Sequence, residues 1–228
     1  MYALAVGPLL WISVVLFVSG LIYRLVRLFR LTERKAVEFC PVTKPKDEPA
    51  ATVSAEERKF DKIARFQNSV LGKHPTMVIA SFVFHLCLFA TPLFLMAHNL
   101  MLRNALGVRL PNLPDGLADF MTLIVLGFAA FFLVRRIAIP KVAAISEVSD
   151  YAVLLIAAAP YLTGFLARHQ LLRYPAMLTV HILTGELMLI AIPFTKIGHM
   201  VFFFFSRLTM AGEFCLGRGS RTWAAAAR

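Results

Sequence analysis

The 228 residues are 59% hydrophobic and only 16% charged, with a mean hydropathy of +0.72. A soluble domain of this size needs a polar surface that this composition does not supply, so one membrane domain is the natural unit. The net charge of +11 sits beside apolar runs, where it meets lipid head groups, and this argues against nucleic acid as a partner.

A hydrocarbon core about 30 Å thick needs roughly 20 apolar residues per helix. Five segments are read as spans: about 2–23, 75–102, 116–134, 151–166 (short) and 175–205 (the longest). The first has no positive n-region and no small-residue cleavage site, so it reads as a retained helix rather than a signal peptide. Residues 31–72 form a loop that follows the basic stretch Arg24, Arg27, Arg30. Pro41, Pro45 and Pro49 extend its middle, and Ser54 to Glu57 reads as a capping box opening a charged helix over about 55–67. This loop is compatible with a solvated connector and with a docking surface for a cytoplasmic subunit. Pro75 suits the first turn of the second helix, and Pro92 lies within it. Cys40, Cys87 and Cys215 are far apart, with no C-x-x-C and no C-x-x-C-H, which excludes a disulfide framework, a zinc ribbon and a covalently attached haem.

Lys and Arg set the orientation. Twelve lie between 24 and 73, three between 135 and 141, and five from 196 onward. The opposite side has Arg103, Arg109, Arg168 and Arg173. The expected architecture is therefore an all-α integral membrane protein, a five-transmembrane-helix bundle with the N-terminus outside and the C-terminus cytoplasmic.

Of the six histidines, His85, His181 and His199 lie at membrane depth and His98 near a segment end. Ionisable residues there are costly, so each is a candidate functional group. Neutral imidazole is a good axial ligand for haem iron, and a b-type haem between two helices needs one histidine from each at equal depth. With the second and fifth helices antiparallel, His98 matches His181 near the outer face and His85 matches His199 near the inner face. His181 and His199 are 18 apart, five turns of an unbroken helix, and would face one way. His85 and His98 are 13 apart and would not share a face without a local rewinding, for which Pro92 is placed. His74 shares a face with His85 and is the runner-up, at the head-group level. His169 falls in an outer loop as a surface residue.

The helix order and the spacing of His181 and His199 resemble the gamma subunit of respiratory nitrate reductase, a dihaem cytochrome b. The stretches Phe84-His85-Leu86-Cys87 through Ala97-His98-Asn99, and His181 to Glu186 through Pro193 to His199, are more similar to the cytochrome b subunits of the Hmc, Tmc and Dsr redox complexes of sulfate-reducing bacteria. The resemblance implies two b-type haems as iron ligand pairs His85/His199 and His98/His181. It also implies electron transport across a bacterial inner membrane, within a respiratory oxidoreductase complex of sulfate respiration. The implied partners are a periplasmic multihaem cytochrome c and a cytoplasmic iron–sulfur subunit, with menaquinone as a further exchange partner. One departure is that the second-helix ligands of the nitrate reductase subunit are spaced more closely. A proton-relay transporter using the histidines and Glu186, or a cofactor-free membrane anchor, are the competing functions. The transporter calls for inverted repeats or broken helix pairs, and neither is visible in the sequence; an anchor gives no reason for paired histidines on two helices.

Other groups near the ligands are double-valued. Glu186 fits either a quinol proton acceptor or a hydrogen-bonding structural carboxyl. Lys196, Arg207, Arg103 and Arg168 fit either partners of haem propionates or interfacial anchors.

Overall fold

The structure, a computed structural model, describes residues 2–31, 67, 70–199 and 202–203. The described residues are helical, with no strand among them. Five helices are long and apolar enough to cross a membrane: Tyr2–Arg30, Pro75–Phe94, Asp115–Ala138, Val148–Arg168 and Tyr174–Phe194. The protein is therefore a multi-pass, all-α membrane protein. The predicted loop over 31–72 and its helix over about 55–67 lie outside the described residues apart from Leu31, Gln67 and 70–72, the last of which begin a short helix at Val70–Lys73; Cys40, Cys215 and Arg207 lie outside them too.

The chain divides into two compact units, Met1–Glu33 with Thr122–Arg228, and Arg34–Met121. In the first unit, a π-helical turn at Ala5–Leu9 contains Pro8, whose missing N–H interrupts the regular ladder. Helix α1, Leu10–Leu31, follows. It runs well past the predicted end at Tyr23, so Arg24, Arg27 and Arg30 are helical rather than the start of a loop. Arginine is a good helix former whose stem reaches along apolar surface to a polar boundary, and hydropathy alone ends the span too early.

The second unit holds α2, Pro75–Phe94, and α3, Met96–Leu106. Pro75 occupies the predicted first position of α2. The single helix expected over 75–102 is two, because Leu95, one turn after Pro92, is extended at φ −71°, ψ 132°. The Phe94 carbonyl released at this break accepts from the Leu113 N–H at 2.9 Å. Asn99 Nδ2 donates to Asn112 Oδ1 at 2.7 Å and to the Pro111 carbonyl at 3.1 Å. These bonds tie the segment after α3 back to the break. Gly107, left-handed at φ 71°, closes α3, a position where glycine avoids the Cβ clash of other residues.

Helix α4, Asp115–Ala138, runs across the boundary between the units. Helix α5, Val148–Arg168, is a full span and not the short segment expected over 151–166. Its start is an acidic capping box in which the Asp150 carboxylate accepts from the Glu147 N–H at 3.0 Å. Helix α6 covers Tyr174–Phe194 and packs against α5 and α1. A Cβ on Gly20 would stand 2.7 Å from Pro193 Cβ, so a side chain there would force α1 away from α6. Ala191, Ile192 and Ile197 form a buried core against Phe17, Leu21, Val153 and Ile156.

The fifth span departs most from expectation. The predicted helix over 175–205 stops at Phe194, Thr195 is extended at φ −122°, ψ −177°, and a 3-10 turn at Lys196–Gly198 follows. Pro193 precedes this break, and Thr195 Oγ1 accepts from the Ile197 N–H at 3.2 Å, restarting the turn. His181 and His199 therefore do not share one continuous helix. The five-turn argument for a common face fails because it assumed an unbroken ladder.

Candidate functional site

Each of the four candidate histidines engages a backbone carbonyl through Nδ1; His85 and His181 lie within the spans, and His98 and His199 lie a few residues beyond the ends of theirs, Phe94 and Phe194. The His85 ring is 2.7 Å from the Ser81 carbonyl, one turn back on α2. His98 is 3.0 Å from the Pro92 carbonyl, across the break at Leu95. His181, on α6, is 2.9 Å from the Pro160 carbonyl of α5. His199 is 2.7 Å from the Lys196 carbonyl. A carbonyl only accepts, so Nδ1 carries the proton in each case. In the neutral ring the lone pair then resides on Nε2, the form in which imidazole ligates metals.

His181 is the most closely framed. Thr163 Oγ1 stands 3.1 Å from Thr184 Oγ1 and 3.5 Å from His181 Nδ1. A Cβ on Gly164 would come within 2.9 Å of His181 Cε1. The absence of a side chain at Gly164 thus makes the seat of the ring. The sequence contains this signal as a glycine inside the apolar fourth segment, four residues after Pro160, and the reading of the histidines alone passes over it. The runner-up, His74, is exposed and precedes α2 without a side-chain cap bond. His169, the expected surface residue, is exposed at the end of α5 and lies tilted by 48° against the Phe165 ring, 4.4 Å between ring centres.

His199 lies in a different setting. It lines a hollow of about 900 Å³ together with Arg24 and Arg27 of α1, Val153 and Ile156 of α5, and Phe194 and Phe202. That volume falls in the range of about 300–1,000 Å³ typical of small-molecule and cofactor sites. Arg24 Nη1 donates to the Thr195 carbonyl at 3.3 Å, and its guanidinium lies 5.6 Å from the Phe202 ring centre.

Lys196 also lines the hollow, but its ammonium is engaged by Glu147 Oε2 at 2.7 Å and Asp150 Oδ1 at 2.9 Å. Arg136 holds the other Asp150 oxygen at 3.0 Å and donates to Ser146 Oγ at 3.1 Å. The hydrogen bond from Lys196 holds the Glu147 carboxyl below its usual range, and the bond to Glu147 raises Lys196. Of the two roles expected for Lys196, the structure gives it a third, as the centre of a salt bridge to the start of α5. Glu186 is 4% exposed on α6, and neither carboxyl oxygen has a hydrogen-bond partner among the described residues.

His85 and His98 belong to one unit, and His181 and His199 to the other. Within the second of these, the donor set suits haem iron, which takes neutral imidazole Nε2 as an axial ligand. The hollow beside His199 adds apolar walls and two arginines, the surroundings an anionic, largely apolar macrocycle requires.

Fold and site together define a multi-pass helical membrane protein with four histidines, in or just beyond its spans, that each engage a backbone carbonyl through Nδ1. The chain belongs to the same family as a protein of Nitratidesulfovibrio vulgaris (strain Hildenborough), described only as "Protein". The two are 34% identical over 224 residues, covering 97% of each chain. No family model matches the chain, and no solved structure matches it.

Proposed function

We propose that this chain is a membrane-embedded dihaem cytochrome b subunit that transfers electrons across a bacterial inner membrane. Its ligands are His85 with His199 on the cytoplasmic side and His98 with His181 on the outer side. The N-terminus is outside and the C-terminus cytoplasmic, as the excess of Lys and Arg supports. The electron partners are a periplasmic multihaem cytochrome c and a cytoplasmic iron–sulfur subunit, with exchange with menaquinone as a further step.

The observation that carries this reading is the shared Nδ1-to-carbonyl bond of His85, His98, His181 and His199. A packing histidine also satisfies its N–H, but the same nitrogen is engaged in all four, and this is the tautomer in which Nε2 ligates a metal. Bound haem supplies a one-electron Fe(III)/Fe(II) carrier. The chain's own part is to hold each imidazole in the ligating tautomer, to exclude water with the apolar spans, and to offer Arg24 and Arg27 as counter-charges at the inner site.

The test is a reduced-minus-oxidised spectrum of the purified protein. A b-type alpha band with two haems per chain is the expected result. His181→Ala and His199→Ala should each remove one haem and leave the other. A colourless protein, or retention of both haems in either variant, overturns the reading.

A further inference from the structure

His199 differs from His85 and His181 in what its carbonyl partner rests on. Ser81 belongs to α2 and Pro160 to α5, where regular ladders hold the backbone. Lys196 belongs to a 3-10 turn of three residues that begins at an extended residue, Thr195. Such a turn has poorer hydrogen-bond geometry than an α-helix and holds its own orientation weakly. Something outside it must fix the direction of the Lys196 carbonyl.

Two anchors do so. On one side Lys196 Nζ is clamped by Glu147 and Asp150 at the start of α5, and Asp150 is held in turn by Arg136 of α4. On the other side Arg24 Nη1 of α1 donates to the Thr195 carbonyl. The approach is close, since a Cβ on Gly198 would stand 2.6 Å from that same Nη1 and 2.9 Å from the Ile192 carbonyl. The turn is thus bracketed between the first and fourth spans, and residue 198 must be glycine for the bracket to close.

We propose that Lys196 and Arg24 are positioning residues for His199: by tying the interrupted backbone at 195–198 to α5 and α1, they aim the His199 imidazole at the metal of the inner haem. This inference rests on the reading of His199 as a haem ligand. Neither residue touches the iron. Groups one step behind a metal ligand commonly affect metal retention about 10–100-fold, so the anchors should be visible in how firmly one haem is kept.

The experiment uses the full-length protein, purified with its haems in detergent. It compares wild type, Lys196→Met, Lys196→Arg, Glu147→Gln and His199→Ala. Haem transfer to excess apomyoglobin is followed, together with the ferric electron-spin spectrum and the midpoint potential of each haem. In Lys196→Met, the haem that His199→Ala removes should leave about tenfold faster than in wild type, with a high-spin component and an altered potential. The other haem should be unchanged. Lys196→Arg keeps a cation within reach of both carboxylates and should restore the wild-type values. Glu147 is exposed, so Glu147→Gln folds irrespective of the outcome for Lys196→Met, and should shift the same haem in the same direction by less.

Release rates and potentials unchanged from wild type for both haems in Lys196→Met and Glu147→Gln overturn the inference while leaving the ligand assignment intact. Faster loss of both haems together also overturns it, because that is general loosening rather than aim. A wild-type protein without haem overturns the ligand reading itself, and this inference falls with it.

Discussion

The ring of His181 occupies the space that a side chain on Gly164 would need: a Cβ there would stand 2.9 Å from His181 Cε1 and 3.0 Å from Nδ1. The same ring donates to the carbonyl of Pro160 one turn earlier on α5. Gly164 therefore sets where the ring can lie, and Pro160 sets which nitrogen carries its proton.

Replacing Gly164 by alanine tests this arrangement. In a helix interior the change ordinarily stabilises by roughly 0.5–1 kcal/mol. Here the added methyl meets a ring already fixed by a hydrogen bond, and overpacking costs about 1–3 kcal/mol. The second effect wins, so Gly164→Ala should lower the melting temperature and, on the proposed reading, displace the haem that His181 holds. Haem-to-protein ratio and thermal unfolding of the same preparation measure both. A more stable variant with full haem content would show that the ring moves aside freely.

The spans were legible in the sequence because hydropathy and length report burial in lipid directly. The four histidines stand out in the sequence because a titratable ring in or beside an apolar run has few explanations. The breaks at Leu95 and Thr195 were not. Pro92 and Pro193 mark the neighbourhood of an interruption, but the exact residue that turns extended depends on which carbonyls find partners outside the helix. Phe94 finds Leu113, and Thr195 finds Arg24. The 18-residue spacing of His181 and His199 looked like a helical repeat and spans a break instead. The bridge from Lys196 to Glu147 and Asp150 was hidden for a related reason, since it joins residues 49 and 46 apart in the chain.

That bridge predicts a pH dependence with a definite sign. The Lys196 ammonium lowers the Glu147 carboxyl from its ordinary value of 4.5, and Glu147 raises Lys196 above 10.5. A depressed carboxyl contributes stability that is present above its unfolded value and lost as pH falls through its folded one. A raised amine contributes stability that is present below its unfolded value and lost as pH rises through its folded one. The bridge is therefore fully formed between these limits and fails first on the acid side below 4.5. Both groups face solvent, so salt should weaken the effect. Thermal unfolding of wild type against Lys196→Met across that acid range should show the two curves converging as pH falls. A constant gap would mean the bridge adds nothing.

The orientation is testable without any cofactor. The proposed orientation makes Cys40 and Cys215 cytoplasmic, and Cys87 is buried in α2. A membrane-impermeant maleimide should label inverted vesicles and leave intact spheroplasts unlabelled. Labelling of spheroplasts that is lost in Cys40→Ser would reverse the topology and exchange the inner and outer ligand pairs.

Glu186 offers the sharpest energetic test. Both of its carboxyl oxygens are buried in the span without a hydrogen-bond partner among the described residues. Leaving a buried polar group unsatisfied costs about 1–3 kcal/mol, whereas an apolar side chain of similar shape carries no such cost. Glu186→Leu should therefore stabilise the fold, by roughly 2–4 °C for each kcal/mol in a chain of this size. Glu186→Gln, which keeps the unsatisfied polar atoms, should gain less. If Glu186→Leu instead lowers the melting temperature while haem content is unchanged, the carboxyl has a partner in the assembled protein. That outcome would favour the hydrogen-bonding structural carboxyl over the quinol proton acceptor.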